Sequence, residues 1–464
     1  MADFVRHDWA RVEPMHSHTP LAAAMFALVM LPILAADASA QPRPTDEELL
    51  RRIDELAAQV TELRAMLATR QAGADRLQPP PAASPTRDEG TTADDLRDVK
   101  FGATVDTYYE YNFNRPIGRV NLLRAYDVTS NNFSLNQASL VVERAPDTAG
   151  GRPFGGRVDF QYGQATETLQ GSLVNEPRPW VYRNIFQAYG TYIAPIGSGL
   201  TIDFGKWASA LGYENNYSKD QYNYSRSLWF NFLPFYHMGA RLNYKASDAL
   251  TLDYWITNGT QQTEAFNNFK DQSVGMTFQP AKNVSWTANY YLGQEHPDVQ
   301  PVQTPAAPGL PTQPGLSLTP VVPYFTGKLN IFDTYATWQV SGTTAIAAEA
   351  DYVSSENPDA PPSKVFGGAG YFRHQLTPAT AIAERAEYLR DRGGLFTGTT
   401  QSLKEGTVTY DYRFNDGFLV RTEWRLDSSN VPFFITDTTN VLKTTQTTAT
   451  LGLIWWWGTK RGTW

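Results

Sequence analysis

From Phe101 onward the sequence repeats one unit, a run of about ten residues in which every second side chain is apolar or aromatic. The connectors between these runs alternate between short and long. Successive side chains of a β-strand point to opposite faces, so the repeat predicts strands with one apolar and one polar face. Strands joined by short turns on one side and long loops on the other are typical of a closed membrane barrel.

One strand near the end of the chain indicates what its polar face contacts. After the turn at 415–417, four consecutive positions on one face are charged: Arg421, Glu423, Arg425 and Asp427. A soluble β-sandwich also alternates, but four charges in a row could not line a dry core without a large desolvation cost. We therefore expect these side chains to line water, where their pairing contributes little stability and their replacement is tolerated.

The predicted fold class is all-β, a transmembrane antiparallel β-barrel of about 16 strands over residues 100–464, with an N-terminal α-helical coiled coil. Miscounting one hairpin would give fourteen or eighteen strands. A barrel of sixteen strands leaves an aqueous channel, whereas eight strands would be filled by side chains. The strands are expected to begin near Phe101, Leu135, Arg157, Ile185, Leu200, His237, Leu250, Gln272, Val284, Leu329, Thr344, Lys364, Thr380, Leu403, Phe418 and Thr445.

Residues 1–40 are predicted to be a signal peptide. The apolar run from Leu21 to Leu34 precedes the small-residue pattern Ala38-Ser39-Ala40, which favours cleavage before Gln41. An alternative start at Met15 and an N-terminal anchor are left open, although the apolar run is shorter than the roughly 20 residues that a spanning helix needs.

Residues 41–70 are predicted to form a coiled-coil helix. A capping box at Thr45 and Glu48 precedes a heptad seam of apolar residues at Leu49, Ile53, Leu56, Val60, Leu63 and Leu67. This seam favours two strands by residue type, but further apolar residues beside it widen the face, and we expect a homotrimer. A lone amphipathic helix is the alternative. The proline-rich residues 71–99 are predicted to be a disordered linker.

The sequence contains none of the common signatures of catalysis or metal binding. H-E-x-x-H, C-x-x-C, G-x-S-x-G and P-loop motifs are absent, and the chain has no cysteine. The isolated His237 and His374 are interpreted as polar lining. A net charge of −8 argues against nucleic acid as a partner. We predict no enzyme activity, catalytic residue, cofactor or metal.

The connector after the fifth strand, from Ala208 to Pro234, combines charged residues with many aromatic ones. We expect it to enter the lumen as a constriction loop that presents Glu214, Lys219, Asp220 and Arg226. Short pieces in and around it recur in a fixed order: G-K-W at 205–207, G-x-E at 212–214, Y-S-R-S at 224–227 and G-x-R at 239–241.

From Phe101 onward, these pieces resemble the β-barrel porin family described as OmpL-like, of porin-2 type. The resemblance implies an outer-membrane channel for small hydrophilic solutes, and in general porins the loop after the fifth strand folds inward. One departure is near the end of the chain. Trp464 is aromatic, as the last residue of such barrels usually is, but 458–463 breaks the alternation before it.

We therefore expect a porin in the outer membrane of a Gram-negative bacterium, in contact with lipid, with a periplasmic N-terminus and passive diffusion of small polar solutes or ions. The expected pore lining is Asp106, Glu110, Arg157, Asp159, Arg241, Asp253, Glu349, Asp351, Arg373, Arg385, Glu387, Asp411, Arg413, Arg421, Glu423, Arg425 and Asp427. Two alternatives remain. One is a structural tether, in which the barrel anchors a coiled coil that binds the cell wall or a periplasmic partner. The other is an outer-membrane enzyme.

Overall fold

The computed structural model describes residues 98–170, 176, 178–300, 319–460 and 462–464. The predicted signal peptide and coiled coil, and the predicted linker before residue 98, lie outside the described residues. Within the described part, no helix is long and apolar enough to cross a membrane.

Strands make up most of the described chain, and alternating apolar and polar residues account for them. They are β1 Val99–Asn112, β2 Asn132–Arg144, β3 Phe154–Tyr162, β4 Ile185–Ala194, β5 Leu200–Ala208, β6 Tyr236–Lys245, β7 Leu250–Thr257, β8 Asp271–Ala281, β9 Val284–Gly293, β10 Leu329–Gln339, β11 Thr344–Ser355, β12 Ser363–Gln375, β13 Thr380–Arg392, β14 Gln401–Asn415, β15 Phe418–Ser429, β16 Phe434–Ile435, β17 Leu442–Lys443 and β18 Thr445–Gly458. Among the described residues, three short α-helices lie in loops, namely α1 Gln164–Gln170, α2 Pro179–Tyr182 and α3 Leu228–Phe232.

Sixteen of these strands form one closed antiparallel barrel, and β16 with β17 makes a separate two-stranded ribbon. Each barrel strand pairs with its neighbours in sequence, and β18 closes the barrel on β1, from Gly102 opposite Gly458 to Asn112 opposite Thr448. Closure leaves no unpaired strand edge, which a membrane requires because lipid cannot satisfy backbone hydrogen bonds. The predicted sixteen-stranded barrel is confirmed, and no predicted strand start differs from the observed one by more than three residues.

The barrel wall has one buried and one exposed face. Along β15, Trp424 and Leu426 are about half exposed, whereas the charged residues between and beside them are buried. The exposed face is apolar around the barrel, as Phe204 and Val408 also show. A wall that is apolar outside and polar inside is the pattern that lipid on the outside demands.

The two ends of the barrel differ in their connectors. One end has the tight turns 195–199, 246–249, 282–283, 340–343, 376–379 and 416–417, together with the start of β1 and the end of β18. We call it the short-turn end. The other end has the longer connectors, among them 113–131, 163–184, 209–235 and 430–444, and is called the long-loop end.

Two of the four register shifts in the described barrel turn pairs of neighbouring side chains inward. Opposite Asp106 the register of β2 shifts, so that Asn136 and Gln137 are both buried. A similar shift in β4 buries both Phe186 and Gln187. Bulges commonly re-aim side chains in this way. Both contact the connector between β5 and β6, where Gln137 donates to the Asn216 side chain and Phe186 packs edge-on against Tyr217.

Candidate functional site: the lumen and its inward loop

The connector between β5 and β6, residues 209–235, folds into the barrel and is called the inward loop. Its two ends are joined by a hydrogen bond from the Ser209 amide to the Phe235 carbonyl, 2.9 Å. Near its end, α3 is capped by the Ser227 hydroxyl, which accepts a hydrogen bond from the Phe230 amide. The apolar residues Leu228 and Trp229 of α3 are fully buried inside the barrel, where they anchor the loop.

Arg421 of β15 holds the inward loop by its backbone. Its guanidinium donates to both carboxylate oxygens of Asp411, at 2.6 and 3.0 Å. It also donates to the carbonyl oxygens of Ser218, Gln221 and Asn223 in the loop, at 2.8–3.0 Å. A lysine could not replace this arginine, because its ammonium group lacks the planar fork of five donors that a guanidinium offers. Arg421 therefore acts as a clamp between β15 and the loop.

Two further arginines bind the same loop. Arg385 of β13 donates to the Glu214 carboxylate at 2.9 Å and to the Ser225 carbonyl at 2.7 Å. Arg425 of β15 donates to the Arg226 carbonyl at 2.6 Å. Hydrogen bonds from a charged donor are stronger than neutral ones, so β13 and β15 grip the loop at several successive residues.

Wall carboxylates bind the amide groups of the loop in turn. Glu423 accepts hydrogen bonds from the Tyr224 and Ser225 amides, at 2.6 and 3.0 Å. Glu387 accepts one from the Leu228 amide, 2.8 Å. A loop buried inside a barrel cannot pair its backbone with a neighbouring strand, so these side chains satisfy groups that would otherwise be costly to bury.

The inward loop also binds the opposite side of the wall. The Tyr224 hydroxyl donates to Asp106 of β1 at 2.8 Å, and the Tyr217 hydroxyl donates to Asp159 of β3 at 2.7 Å. Burial raises the pKa of both phenols well above their ordinary value, which keeps them neutral donors. The loop is therefore fixed to β1 and β3 as well as to β13 and β15, and crosses the lumen.

Arg226 organises the loop from within. Its guanidinium donates to the carbonyl oxygens of Asn215, Asn216 and Tyr224, at 2.8–3.1 Å. The guanidinium also lies 4.8 Å from the ring centroid of Tyr126, a residue of the connector 113–131. A buried cation needs this many partners to offset its desolvation, and Arg226 thereby keeps the backbone of the loop folded back on itself.

The segment after β18 meets the loop inside the barrel. The Trp464 amide donates to Asp220 at 3.0 Å, and the Lys219 ammonium lies 4.4 Å from the centroid of the Trp464 ring. The ring also packs edge-on against Tyr217. Gly102 of β1 makes room for it, since a Cβ there would lie 2.4 Å from the indole. The break in alternation at 458–463 thus turns Trp464 inward, away from lipid.

The family comparison identifies what kind of barrel this is. Residues 98–455 match the model of the family described as "Putative beta-barrel porin-2, OmpL-like". The chain belongs to this family. As a member of a porin family with a closed sixteen-stranded wall, it is an outer-membrane β-barrel. The search of curated proteins found no matching relative.

Several solved porin structures are similar to the fold. The outer membrane channel DcaP of Acinetobacter baumannii is 12% identical with a TM-score of 0.49, covering 77% of this chain and 97% of that one. The anion-selective porin from Comamonas acidovorans is 7% identical with a TM-score of 0.48, covering 77% and 99%. Pseudomonas putida OprB is 12% identical with a TM-score of 0.47, covering 79% and 97%. These likenesses concern the fold, and membership of the porin family rests on the family match.

The structure corrects one expectation for this porin. The charged row on β15 does not line open water, because Arg421, Arg425 and Asp427 are each 1% exposed and Glu423 is 5% exposed. The inward loop covers them, and its carbonyl and amide groups replace water as their partners. The expectation that these charges are replaceable at little cost loses its physical basis.

The other predicted lining residues fall into three groups. The loop or the wall around it buries Asp106, Glu110, Asp159, Glu349, Asp351, Arg385, Glu387 and Asp411. Part of the side chain stays accessible at Arg157, Arg241, Asp253 and Arg373, and Arg413 is exposed at the short-turn end. Of the predicted constriction residues, Glu214 and Arg226 bind inside the lumen as described, while Lys219 and Asp220 bind Trp464. On β13, Arg385 is buried and its neighbour Glu384 is exposed.

Sequence reasoning missed several inward residues. Glu405 is buried and has the same parity on β14 as the predicted inward residue Asp411, so alternation could have found it. Asp203 and Asp333 are buried on β5 and β10, where no inward residue was predicted. Gln137 and Gln187 were hidden by the bulges, which change the parity along β2 and β4. No sequence signal marks a bulge whose purpose is a contact with a distant loop.

Proposed function

We propose that this porin forms a water-filled channel for the passive diffusion of small hydrophilic solutes and ions across the outer membrane. The observation that carries the proposal is that charged side chains inside the barrel differ in how exposed they are. The arginines that grip the inward loop are 0–1% exposed at their side chains, whereas Arg241 on β6 is 22% exposed. The loop leaves parts of the inner wall accessible, at Arg241 on β6 and equally at Arg373 on β12.

The accessible inner face of β5–β7 near the short-turn end is called the open wall. There Arg241 is paired with Asp203, 2.7 Å apart, and Asn243 donates to Asp253 at 2.8 Å. Both signs of charge lie within reach of a passing ion, and neither pair is saturated by the loop. Such a wall holds water and biases ions by sign without binding them tightly.

Single-channel recording in planar bilayers tests the proposal. The purified protein should conduct, and Arg241→Gln should shift its permeability ratio toward cations because the open wall loses a positive charge. Arg115→Gln is the matched control, since Arg115 pairs with Asp437 in exposed connectors at the long-loop end. Asp253→Asn should shift the ratio the other way, and serves if Arg241→Gln fails to fold.

A folded wild-type barrel that never conducts would overturn the proposal and favour the tether alternative. Heat-modifiable migration on gels would establish that the barrel is folded in each variant. Equal selectivity of all three variants and the wild type would refute the open wall as the ion path.

We further propose that the protein is a homotrimer with a periplasmic N-terminus, joined through the coiled coil predicted at residues 41–70. The apolar heptad seam supports this proposal. Deleting residues 45–70 should weaken the oligomer while leaving each barrel folded. Native mass spectrometry that shows monomers for both wild type and deletion would contradict it.

A further inference from the structure

Three carboxylates meet on the inner face of β10 and β11. Oxygen atoms of Asp333, Glu349 and Asp351 all lie within 4.8 Å of one another. Asp333 and Asp351 are direct partners across the two strands, and the three side chains are exposed by no more than 5%. Like charges placed opposite each other destabilise a sheet, so this cluster needs positive charge near it.

The described part of the chain does not supply that charge as a salt bridge. Among the described residues, no ion pair includes any of the three carboxylates. Arg385 is engaged elsewhere, by Glu214, Glu387 and Glu405 at 2.9–3.2 Å.

Two of the carboxylates are held in place by other groups. Asp333 accepts hydrogen bonds from the Gly212 amide at 2.9 Å and from the Asn289 side chain at 2.7 Å. Glu349 accepts them from the Tyr213 amide at 3.0 Å and from the Tyr371 hydroxyl at 2.8 Å. Each carboxylate oxygen has more than one lone pair, so both groups can still coordinate an ion. Such bonds orient ligands around a metal.

Asp351 is the exception. Both of its carboxylate oxygens are buried, and neither has a hydrogen-bond partner among the residues that the structure describes. An ionised group left in this state costs far more than a paired one. Its oxygens face the other two carboxylates, which in their ionised form can accept hydrogen bonds but cannot donate them. The free lone pairs of Asp351 therefore point to a ligand that accepts electron pairs.

We propose that Asp333, Glu349 and Asp351 form a binding site for a hard divalent cation, Ca²⁺ or Mg²⁺. All the donors are oxygens, the ligands that both ions prefer. The cation neutralises the like charges across β10 and β11. It also joins these strands to the first residues of the inward loop, because Gly212 and Tyr213 donate to two of its ligands. The sequence predicted no metal here, since Asp333 joins Glu349 and Asp351 only through the pairing of β10 with β11.

Direct binding to the chelator-stripped full-length protein in detergent tests the site. Calorimetric titrations with CaCl₂ and with MgCl₂, at constant ionic strength, should show one saturable site for at least one ion and identify which is preferred. Terbium offers a second readout, because Tyr371 donates to Glu349 and the rings of Tyr213 and Tyr371 lie 4.6 Å apart, close enough to sensitise its luminescence.

Asp351→Asn should weaken binding roughly tenfold or more, because affinity follows the number of charged ligands. The variant should still fold, since it removes a like charge from the pair across β10 and β11. Glu143→Gln is the matched control, since Glu143 is a carboxylate on β2 that pairs with Lys460 at 2.7 Å. It should bind as the wild type does.

The absence of saturable binding by the wild type would overturn the inference and leave a proton shared between Asp333 and Asp351 as the explanation of the cluster. Equal binding by Asp351→Asn and wild type would also overturn it. Because binding is measured without conductance, these outcomes are independent of the proposed channel function.

Discussion

At the scale of single residues, the lumen shows how buried charge is made tolerable. Arg421 is buried with one carboxylate and three loop carbonyls as partners. Breaking a buried ion pair by removing one partner is strongly destabilising, because the remaining charge loses its compensation. The position of an arginine under the inward loop therefore decides its energetic role, which its charge and strand parity do not reveal.

Arg421→Ala should lower the free energy of unfolding by about 3 kcal/mol, since Asp411 and three loop carbonyls lose their donor. Arg413→Ala is the matched control, because Arg413 lies on the same face of the adjacent strand but is exposed. Denaturant unfolding of the barrel refolded in detergent measures both. Equal stability losses in the two variants would contradict the clamp.

At the scale of elements, the loops carry carboxyl groups whose pKa values are shifted in opposite directions by their surroundings. Burial first, and then the neighbouring Asp271 carboxylate, raises the pKa of Glu295 well above its ordinary value of 4.5. Its carboxylate accepts hydrogen bonds from Thr260 and Gln262, which joins two long loops. In contrast, a hydrogen bond from Arg178 lowers the pKa of Glu264. The same residue type therefore responds oppositely to pH in two connectors.

Glu295→Gln should stabilise the protein at pH 8 relative to wild type and make little difference near pH 4. A carboxyl with a raised native pKa costs stability as pH rises above its unfolded value, because only the unfolded chain ionises freely. Glu264→Gln should behave oppositely, with a loss above about pH 4.5 that disappears in acid. Unfolding midpoints across this range measure both, and parallel curves for the two variants would disprove the assignment.

Trp464 and the inward loop form a second contact between elements. Trp464→Ala should destabilise the loop and raise single-channel conductance, because the indole fills space between Gly102, Lys219 and Tyr217. The stability loss should be about 3 kcal/mol, as for other buried large-to-small changes. Trp457→Ala, on the exposed outer face, is the control and should leave conductance unchanged. A larger conductance change at Trp457 would invert the facing of this segment.

At the scale of the whole molecule, closure fixes the topology. With sixteen strands, both ends of the barrel chain lie at the short-turn end, together with every tight turn. Outer-membrane barrels place their short turns in the periplasm and their longer loops outside. This rule supports the proposed periplasmic position of the short-turn end.

Orientation can be tested directly because the chain has no cysteine. A membrane-impermeant maleimide added to intact cells should label Thr438→Cys in the long-loop connector 430–444. It should not label Ser341→Cys in the turn 340–343 until the outer membrane is opened. Both side chains are exposed, so the comparison depends on their side of the membrane. Labelling of Ser341→Cys alone on intact cells would reverse the proposed orientation.

The sequence by itself determined the wall of the barrel. Alternation in β14 and β15 gives the facing of Val408, Trp424 and Arg421, and the connector lengths give the strand count, because both depend on residues close in the chain. The expectation that 208–234 folds inward came from its composition and from a family resemblance, and the structure agrees with it.

Only the tertiary structure decided what happens inside the wall. The burial of Arg421, the bulge at Asn136, the inward turn of Trp464 and the meeting of Asp333 with Asp351 all depend on contacts between distant residues. Alternation states which way a side chain points, but it does not state what it meets there. A charge facing the lumen is solvated or buried according to where the loop lies, and that position is set by the sum of contacts around the whole barrel.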